Sequence, residues 1–395
     1  MREVEARMED RTLVIALSGS IDSANAPRIE QEILQAVTDG SDPDGIVLDC
    51  ENLEYITSAG LRMILRLKQI KDDTRVINAS PAVYDTLDMT GFTTIIDVTK
   101  AYRVISVEGC EVVGEGANGK VYRLDPDTIV KVYRHPDSLQ DIHRERELAR
   151  AAFVAGVPTA IPYDVVRIED GGYGSVFEML NAQSFAKLLI RREKPLEEIA
   201  GMSVDLLKKI HAISLDPHVM PEMRATALDW ADFDRDWLPP EQYEKLRSLV
   251  AGLPDDQHLL HGDFHVKNIE LQDGEAMVID MDTLSRGHPI FELSAMYNAY
   301  CGFTATDPTV VEEFFGIPAE TAAEFWRLSL ALYLDTKDEE RIREVEEKAM
   351  AVRYARILRR TVRCGGTETE KGRAVIAHAK RMLADLLPRI DTLQF

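Results

Sequence analysis

The apolar positions of this chain change their period part-way along it. In the first hundred residues, short apolar runs alternate with stretches whose apolar side chains recur every three or four positions. Thr12-Leu13-Val14-Ile15-Ala16-Leu17 is apolar and β-branched and is closed by Gly19, so it predicts a buried strand. Asp22 or Ser23 can cap a helix over Ala26 to Thr38, with Ile29, Ile33, Leu34 and Val37 as its core stripe. Gly45 to Cys50 predicts a second buried strand and Ser58 to Lys71 a second helix, with Leu61, Ile64, Leu65 and Leu67 apolar. A third strand at Val76-Ile77-Asn78 and a short helix from Pro81 to Thr90 follow. Strands and helices alternating at this pitch predict βαβ crossovers and an α/β fold.

From Val107 the pattern turns to hairpin-like strands, Val121 to Leu124 and Thr128 to Tyr133, then a helix from Asp141 to Ala155. Ser175 to Leu180 predicts an apolar strand that ends before a helix. The last 65 residues read as an acidic helix (Asp335 to Glu347), a basic one (Ala349 to Arg363), a Gly365-Gly366 break and a final helix from Glu370 to Leu386.

The chain's 395 residues suit two or three domains, and its 45% hydrophobic and 29% charged residues suit globular domains rather than disorder. No apolar run reaches the ~20 residues that span a bilayer. Met1-Arg2-Glu3-Val4-Glu5 lacks the apolar core of a secretion signal. Cys50, Cys110, Cys301 and Cys364 lie far apart without a CxxC pair, which predicts free thiols in a reducing cytoplasm. A net charge of −22 argues against a nucleic-acid partner, because that binding depends on Lys and Arg neutralising phosphates. Arg353, Arg356, Arg359, Arg360 and Arg363 stand apart: their spacing places most of them on one helical face, either a solvated face pairing with the acidic body or a patch for an anionic partner.

Chemistry concentrates in the second half of the pattern. Val112-Val113-Gly114-Glu115-Gly116-Ala117-Asn118-Gly119-Lys120-Val121 contains G-x-G-x-x-G-x-V, whose glycines let a backbone approach phosphates. The same glycines mark dinucleotide sites, but there a helix follows, and here a strand does. The next strand carries one lysine, Lys131, amid apolar residues, well placed to hold nucleotide phosphates. Glu145 shares a helix face with Leu148, Ala149 and Ala152 and is the candidate partner for Lys131, with Glu147 the competing choice.

Asp263 and Asn268 sit five apart in His261-Gly262-Asp263-Phe264-His265-Val266-Lys267-Asn268, as in the kinase pattern D-x-x-x-x-N. Phosphoryl transfer needs a carboxylate to orient or accept a hydroxyl proton and oxygen ligands for magnesium. Twelve residues on, Val278-Ile279-Asp280-Met281-Asp282 ends a strand with two acids.

Two resemblances follow from these motifs. Leu17-Ser18-Gly19-Ser20-Ile21-Asp22-Ser23-Ala24-Asn25-Ala26-Pro27, with Leu53-Glu54-Tyr55-Ile56-Thr57-Ser58-Ala59-Gly60-Leu61, resembles the STAS domain of bacterial anti-sigma factor antagonists over about residues 5–102. The resemblance implies that Ser58, at the start of the second helix, is a phosphorylation site and that an anti-sigma-type protein is a partner. Thr57 stands where that family usually has Asp. A helix N-terminus favours a phosphate, and it equally favours a simple hydroxyl cap, so both readings of Ser58 stay open.

H-G-D-x-H-x-x-N followed by I-D-x-D resembles the aminoglycoside phosphotransferase and choline kinase superfamily over about residues 108–330. His211, in Leu207 to Ile213, and Gly287-His288-Pro289-Ile290-Phe291-Glu292-Leu293 match further segments of that family, although Glu292 replaces an aspartate and Val266-Lys267 replaces Pro-Gly. The resemblance implies a two-lobed kinase-like fold that uses ATP and Mg²⁺. It makes Asp263 the catalytic base, Asn268 and Asp280 the metal ligands, and Lys131 the phosphate-binding lysine. Gly114, Gly116, Gly119 and Glu145 would complete the nucleotide site, and the backbone of Glu178 and Leu180 would meet adenine. His265 would order the catalytic loop.

The expected organisation is therefore a STAS domain over 1–104, an N-lobe over 105–180 and a C-lobe with a helical extension over 181–395. The expected function is transfer of the ATP γ-phosphoryl to a hydroxyl on a small alcohol, an amino-alcohol or a protein serine, Ser58 included. The surplus of Asp and Glu allows a cationic acceptor. The competing expectation is a non-catalytic nucleotide sensor that acts through a STAS partner.

Overall fold

A computed structural model of the chain describes all residues except 1–2, 10, 40–42, 117–118, 135–138 and 216–219. The tip of the glycine loop, Ala117 and Asn118, thus lies outside the described residues. The chain forms two compact units, residues 1–106 with 166–170 and residues 107–165 with 171–395.

The first unit contains β1 (Val4–Glu9), β2 (Thr12–Ile21), α1 (Ala26–Asp39), β3 (Gly45–Ile56), α2 (Ser58–Ile70), β4 (Thr74–Ala79), α3 (Pro81–Met89), β5 (Asp97–Lys100) and the two-residue β6 (Val104–Ile105). Its sheet has the order β1-β2-β3-β4-β5, with β1 antiparallel to β2 and the other neighbours parallel. Ile15, Leu17, Leu48 and Val76 from the strands bury against Ile33, Ile64, Leu67 and Val83 from the helices.

Two strands outrun the sequence expectation. β2 continues through Gly19, which has a φ of +78°, and the ladder to β3 shifts register between Ala16 and Ser18 and again between Gly19 and Ser20. The glycine therefore marks a bulge rather than a strand end. β3 continues to Ile56 because Leu53 and Ile56 still bury between exposed neighbours. β1 was not expected, although Val4, Ala6 and Met8 alternate with Glu5, Arg7 and Glu9; every residue after Val4 in it is exposed, as befits an edge strand.

The second unit starts with β7 (Val112–Glu115), β8 (Gly119–Arg123), β9 (Thr128–Tyr133), α4 (Leu139–Val154), β10 (Pro162–Ile168) and β11 (Tyr173–Glu178). These strands lie in the order β10-β11-β9-β8-β7, so β9 with its lysine is flanked on both sides. Then come β12 (Gln183–Ser184), α5 (Phe185–Arg191), α6 (Leu196–His211), α7 (Met223–Asp234), α8 (Pro240–Ala251), β13 (Leu259–Leu260), β14 (Ile269–Gln272), β15 (Glu275–Val278), β16 (Ser285–Arg286) and α9 (Ile290–Tyr297). The chain closes with α10 (Val310–Phe315), α11 (Ala319–Tyr333), α12 (Glu339–Arg363) and α13 (Glu370–Leu386).

The catalytic-loop segment lies between β13 and β14, and Asp280 lies just past β15. β14 and β15 form a hairpin that pairs Ile269 with Val278, and this brings the two ends of the candidate site together. The acidic and basic stretches expected as two helices form the single helix α12. Charge sign changes near Lys348, but neither Gly nor Pro interrupts the backbone there, and Val345, Ala349 and Val352 keep one buried stripe.

Candidate active site

Lys131 is the centre of the site. Antiparallel pairing of β9 with β8 and β11 aims it inward, and its Nζ lies 2.8 Å from Glu145 Oε1 on α4 and 2.8 Å from Asp280 Oδ1. Glu145, and not Glu147, is the partner, because the inward face of α4 buries it to 6% exposure. Burial by itself would lower the Lys131 pKa, but the charges of Asp280 and Glu145 outweigh it and raise it. The lysine is therefore held as a cation.

Tyr133 adds a contact that sequence reasoning missed. Its hydroxyl donates to Glu145 Oε2 at 2.8 Å. The available signal was its position two residues after Lys131, on the same face of the strand.

The loop that carries Asp263 is braced from beneath. Gly262 has a φ of +81°, and a Cβ there would lie 2.7 Å from the Thr283 carbonyl oxygen, so only glycine fits. Glu292, fully buried on α9, accepts from the His261 N–H at 2.5 Å and from the Gly262 N–H at 3.0 and 3.1 Å. The glutamate in the aspartate's place is thus a clamp on the loop backbone.

Beyond the clamp, the Asp263 side chain is half exposed. Asn268 Nδ2 donates to the Asp263 carbonyl at 3.0 Å and to its Oδ2 at 3.2 Å, and His265 Nε2 lies 3.4 Å from that same oxygen. Partial burial raises the Asp263 pKa, but the His265 contact and the charges of His265, His261 and Arg356 hold it below the usual carboxylate range. It is ionised at neutral pH. His265 itself is buried and stacks edge-on against Phe314 and Phe315, which fixes its ring.

Asp280 takes a left-handed φ of +68°, a strained conformation for a residue with a side chain and one that clusters at functional sites. Burial and then the charge of Asp280 raise the pKa of neighbouring Asp282, while Lys131 opposes the shift. Glu145 and Asp280 thus flank one lysine with Asp282 close by, an excess of negative charge that suits a divalent cation. No cage of three or more His, Cys, Asp or Glu occurs among the described residues. Magnesium needs none, since one or two protein oxygens and substrate phosphates suffice. Asn268 spends its Nδ2 on Asp263, so its Oδ1 and the Asp280 carboxylate are the oxygens that could hold such an ion.

The glycine loop joins β7 to β8. Gly116 N–H donates to the Gly119 carbonyl at 3.0 Å. A Cβ on Gly119 would fall 2.1 Å from the Val132 carbonyl oxygen, whereas one on Gly116 would meet nothing within 4 Å. Gly119→Ala is therefore expected to destabilise the fold by roughly 2 kcal/mol and Gly116→Ala by under about 0.5 kcal/mol. Urea unfolding midpoints compare them, and equal midpoints would contradict the packing. At the other edge, Glu178 N–H donates to Ile161 and Met179 N–H to Asp127, while Leu180 N–H has no backbone partner among the described residues.

The family of the chain can now be stated from its sequence matches. Residues 109–326, more than half of the chain, match the phosphotransferase enzyme family. The chain belongs to that family. Residues 3–105 match the STAS domain, and a stretch of 96 residues is 33% identical to an anti-sigma factor antagonist, BtrV, of Bordetella bronchiseptica, covering 23% of this chain and 81% of that protein. Among solved structures, a streptomycin–ATP complex of APH(2'')-IIa is similar at a TM-score of 0.48 and 15% identity, covering 73% of this chain and 94% of that one. A choline/ethanolamine kinase family protein from Mesorhizobium loti is similar at 0.46 and 16% identity, covering 70% and 87%. Family membership rests on the sequence matches and not on these structural likenesses.

Within the STAS domain, the residues expected to form a switch take distinct places. Thr57 is the N-cap of α2, yet its side chain makes no capping hydrogen bond and its buried Oγ1 has no partner. Ser58 is the first helical residue and is exposed, so it is not the cap. The four cysteines are unpaired thiols, and no helix among the described residues is long and apolar enough to cross a membrane.

Proposed function

We propose that this protein is an ATP- and Mg²⁺-dependent phosphotransferase that phosphorylates a hydroxyl and carries a STAS regulatory module, organised as residues 1–104, 105–180 and 181–395. The observation that supports it best is Lys131, held as a cation 2.8 Å from both Glu145 and Asp280 while Asp263 stands ionised on a braced loop.

In this reading the backbone of Gly114, Gly116 and Gly119 covers the nucleotide phosphates and Lys131 holds them. Glu178 and Leu180 offer backbone groups to adenine, the Leu180 N–H having no backbone partner among the described residues. Asn268 and Asp280 hold the magnesium ion, which neutralises charge on the phosphates. Asp263 orients the acceptor hydroxyl and takes its proton. The hydroxyl oxygen bonds to the γ-phosphorus as the bond from phosphorus to the β,γ-bridging oxygen breaks, and ADP leaves.

Labelled ATP with Mg²⁺, supplied to the full chain with and without a panel of alcohols and amino-alcohols, tests this. ATP turnover that depends on Asp263 supports the reading. Binding and turnover indifferent to Lys131→Ala, Asp280→Ala and Asp263→Asn would overturn it.

We further propose that Ser58 is a phosphorylation site and that the STAS module engages an anti-sigma-type partner, as its likeness to BtrV suggests. An exposed hydroxyl in the first helical turn suits a phosphate, because N–H groups and the helix dipole face it. Intact-mass analysis after incubation with ATP is expected to find one added phosphate in the wild type and none in Ser58→Ala. Equal labelling of both would remove Ser58 from the scheme.

A further inference from the structure

The arginines of α12 do not behave as a solvated face. Arg353 is 2% exposed, and its Nε and Nη2 have no hydrogen-bond partner among the described residues. Its guanidinium lies over the Phe303 ring, 5.6 Å from the centre. One turn on, half-buried Arg356 lies 5.2 Å over the Trp230 ring. Arg356, Arg360 and Arg363 have no carboxylate within ion-pair distance among the described residues, and only Arg359 pairs, with Asp229 at 2.6 Å. Burying a charge without a partner is costly, so such a group calls for a counter-ion.

Position gives the arginines a purpose. Arg353, Arg356 and Arg360 follow one another at spacings of three and four and share a face of α12. Arg356, Arg359, Arg360, Arg363, Trp230 and Cys364 line a cavity of about 330 Å³, the size for a small molecule. The stripe also reaches the loop of Asp263: Arg353 lies over Phe303, three residues past Tyr300, whose hydroxyl accepts from the Val266 N–H of that loop at 3.0 Å, and Arg356 follows Arg353 one turn on. Burial first, then the neighbouring arginines, lowers the pKa of both. A larger hollow of about 510 Å³ near the start of α12 is ringed by Asp338, Glu340, Glu344 and Glu347 together with Arg341 and Arg343. Its Glu344 is already paired with Arg341 and Lys348, at 2.7 and 2.6 Å.

We propose that the acceptor bound beside Asp263 is a small hydroxyl compound carrying an oxyanion, a phosphate or a carboxylate, gripped by the arginine stripe of α12. This rests on the phosphotransferase reading of the site and names its substrate class. It reverses the expectation, drawn from net charge, of a cationic acceptor. A net charge of −22 describes the whole chain, whereas the acceptor meets only the local field.

Two measurements on the full chain test the proposal separately from the kinase reading. In the first, inorganic phosphate is titrated calorimetrically into nucleotide-free protein and its Arg356→Met and Arg360→Ala variants. Affinity is expected to fall about tenfold in each, as one charge-assisted contact is lost. Phosphate held at the Lys131 site instead would bind all three alike, and that result would overturn the proposal. Arg360 is exposed, so its variant keeps the test usable if a buried substitution impairs folding.

In the second, ATP consumption is compared for glycerol, glycerol 3-phosphate, glycerate and choline, with Asp263→Asn as the blank. The oxyanion-bearing acceptors are expected to be turned over about tenfold or more faster, with KM raised in Arg356→Met and partly restored in Arg356→Lys. Preference for choline or glycerol would overturn the anionic acceptor and leave the kinase intact. Absence of ATP binding would defeat the kinase reading instead, and the phosphate titration would still report on the stripe.

Discussion

Asp263→Asn is expected to reduce phosphoryl transfer about a thousandfold while leaving nucleotide affinity within a factor of about two. Asparagine keeps the shape of the side chain, so the Asn268 contacts at 3.0 and 3.2 Å can largely persist. What disappears is the charged oxygen that takes the hydroxyl proton. His265 and the nearby cations keep the Asp263 pKa low, so the wild-type rate is expected to hold through neutral pH. Its acid limb is expected only below the ordinary carboxylate range near pH 4. Initial rates at saturating acceptor, with ADP binding measured in parallel, check both parts. A variant with near-normal turnover would take Asp263 out of the chemistry.

The largest structural effect is expected at Glu292. Its carboxylate is the acceptor for two backbone N–H groups of the Asp263 loop, the buried one of His261 and the part-buried one of Gly262. Glu292→Ala leaves both donors unpaired and opens a cavity, so a loss of roughly 3–5 kcal/mol is expected, along with transfer activity. The pH dependence follows from the sign of the shift. Burial raises the Glu292 pKa, but the adjacent His211, His261 and the Gly262 N–H outweigh it, so the folded pKa lies below the ordinary value. A depressed carboxylate pKa contributes stability fully above the unfolded pKa of about 4.3, and that stability is lost as pH falls through the folded value. Glu292→Gln removes this contribution and is expected to flatten the acid side of the stability profile. Urea unfolding from pH 3 to pH 7 separates the two proteins, and parallel profiles would contradict the assigned shift.

The order of elements and the spacing of the chemical groups were legible in the sequence because both are local. Period-two and period-three-to-four patterns specify strands and helices whatever surrounds them, and the five-residue step from Asp263 to Asn268 is set by one loop. The lysine on β9, the glycine loop and Asp280 after β15 could each be read the same way. Edge strand β1 showed only a short alternation of Val4, Ala6 and Met8 with charged residues, and apart from Val4 that alternation faces solvent rather than a core. The unity of helix α12 is masked in the sequence by its change of charge sign, although charge does not end a helix and glycine or proline does.

Only the tertiary structure decided which groups meet. The choice of Glu145 over Glu147 depends on how α4 packs, and the Tyr133 contact depends on that same packing. Glu292 becomes a clamp only because α9 lies beneath a loop some thirty residues earlier in the chain. The same holds for charge. Sequence gave a net of −22 and a row of arginines, but burial decides their energetic weight, and burial exists only once α12 is packed. Local pattern set the elements and the chemical groups, and long-range packing set their partners and their protonation.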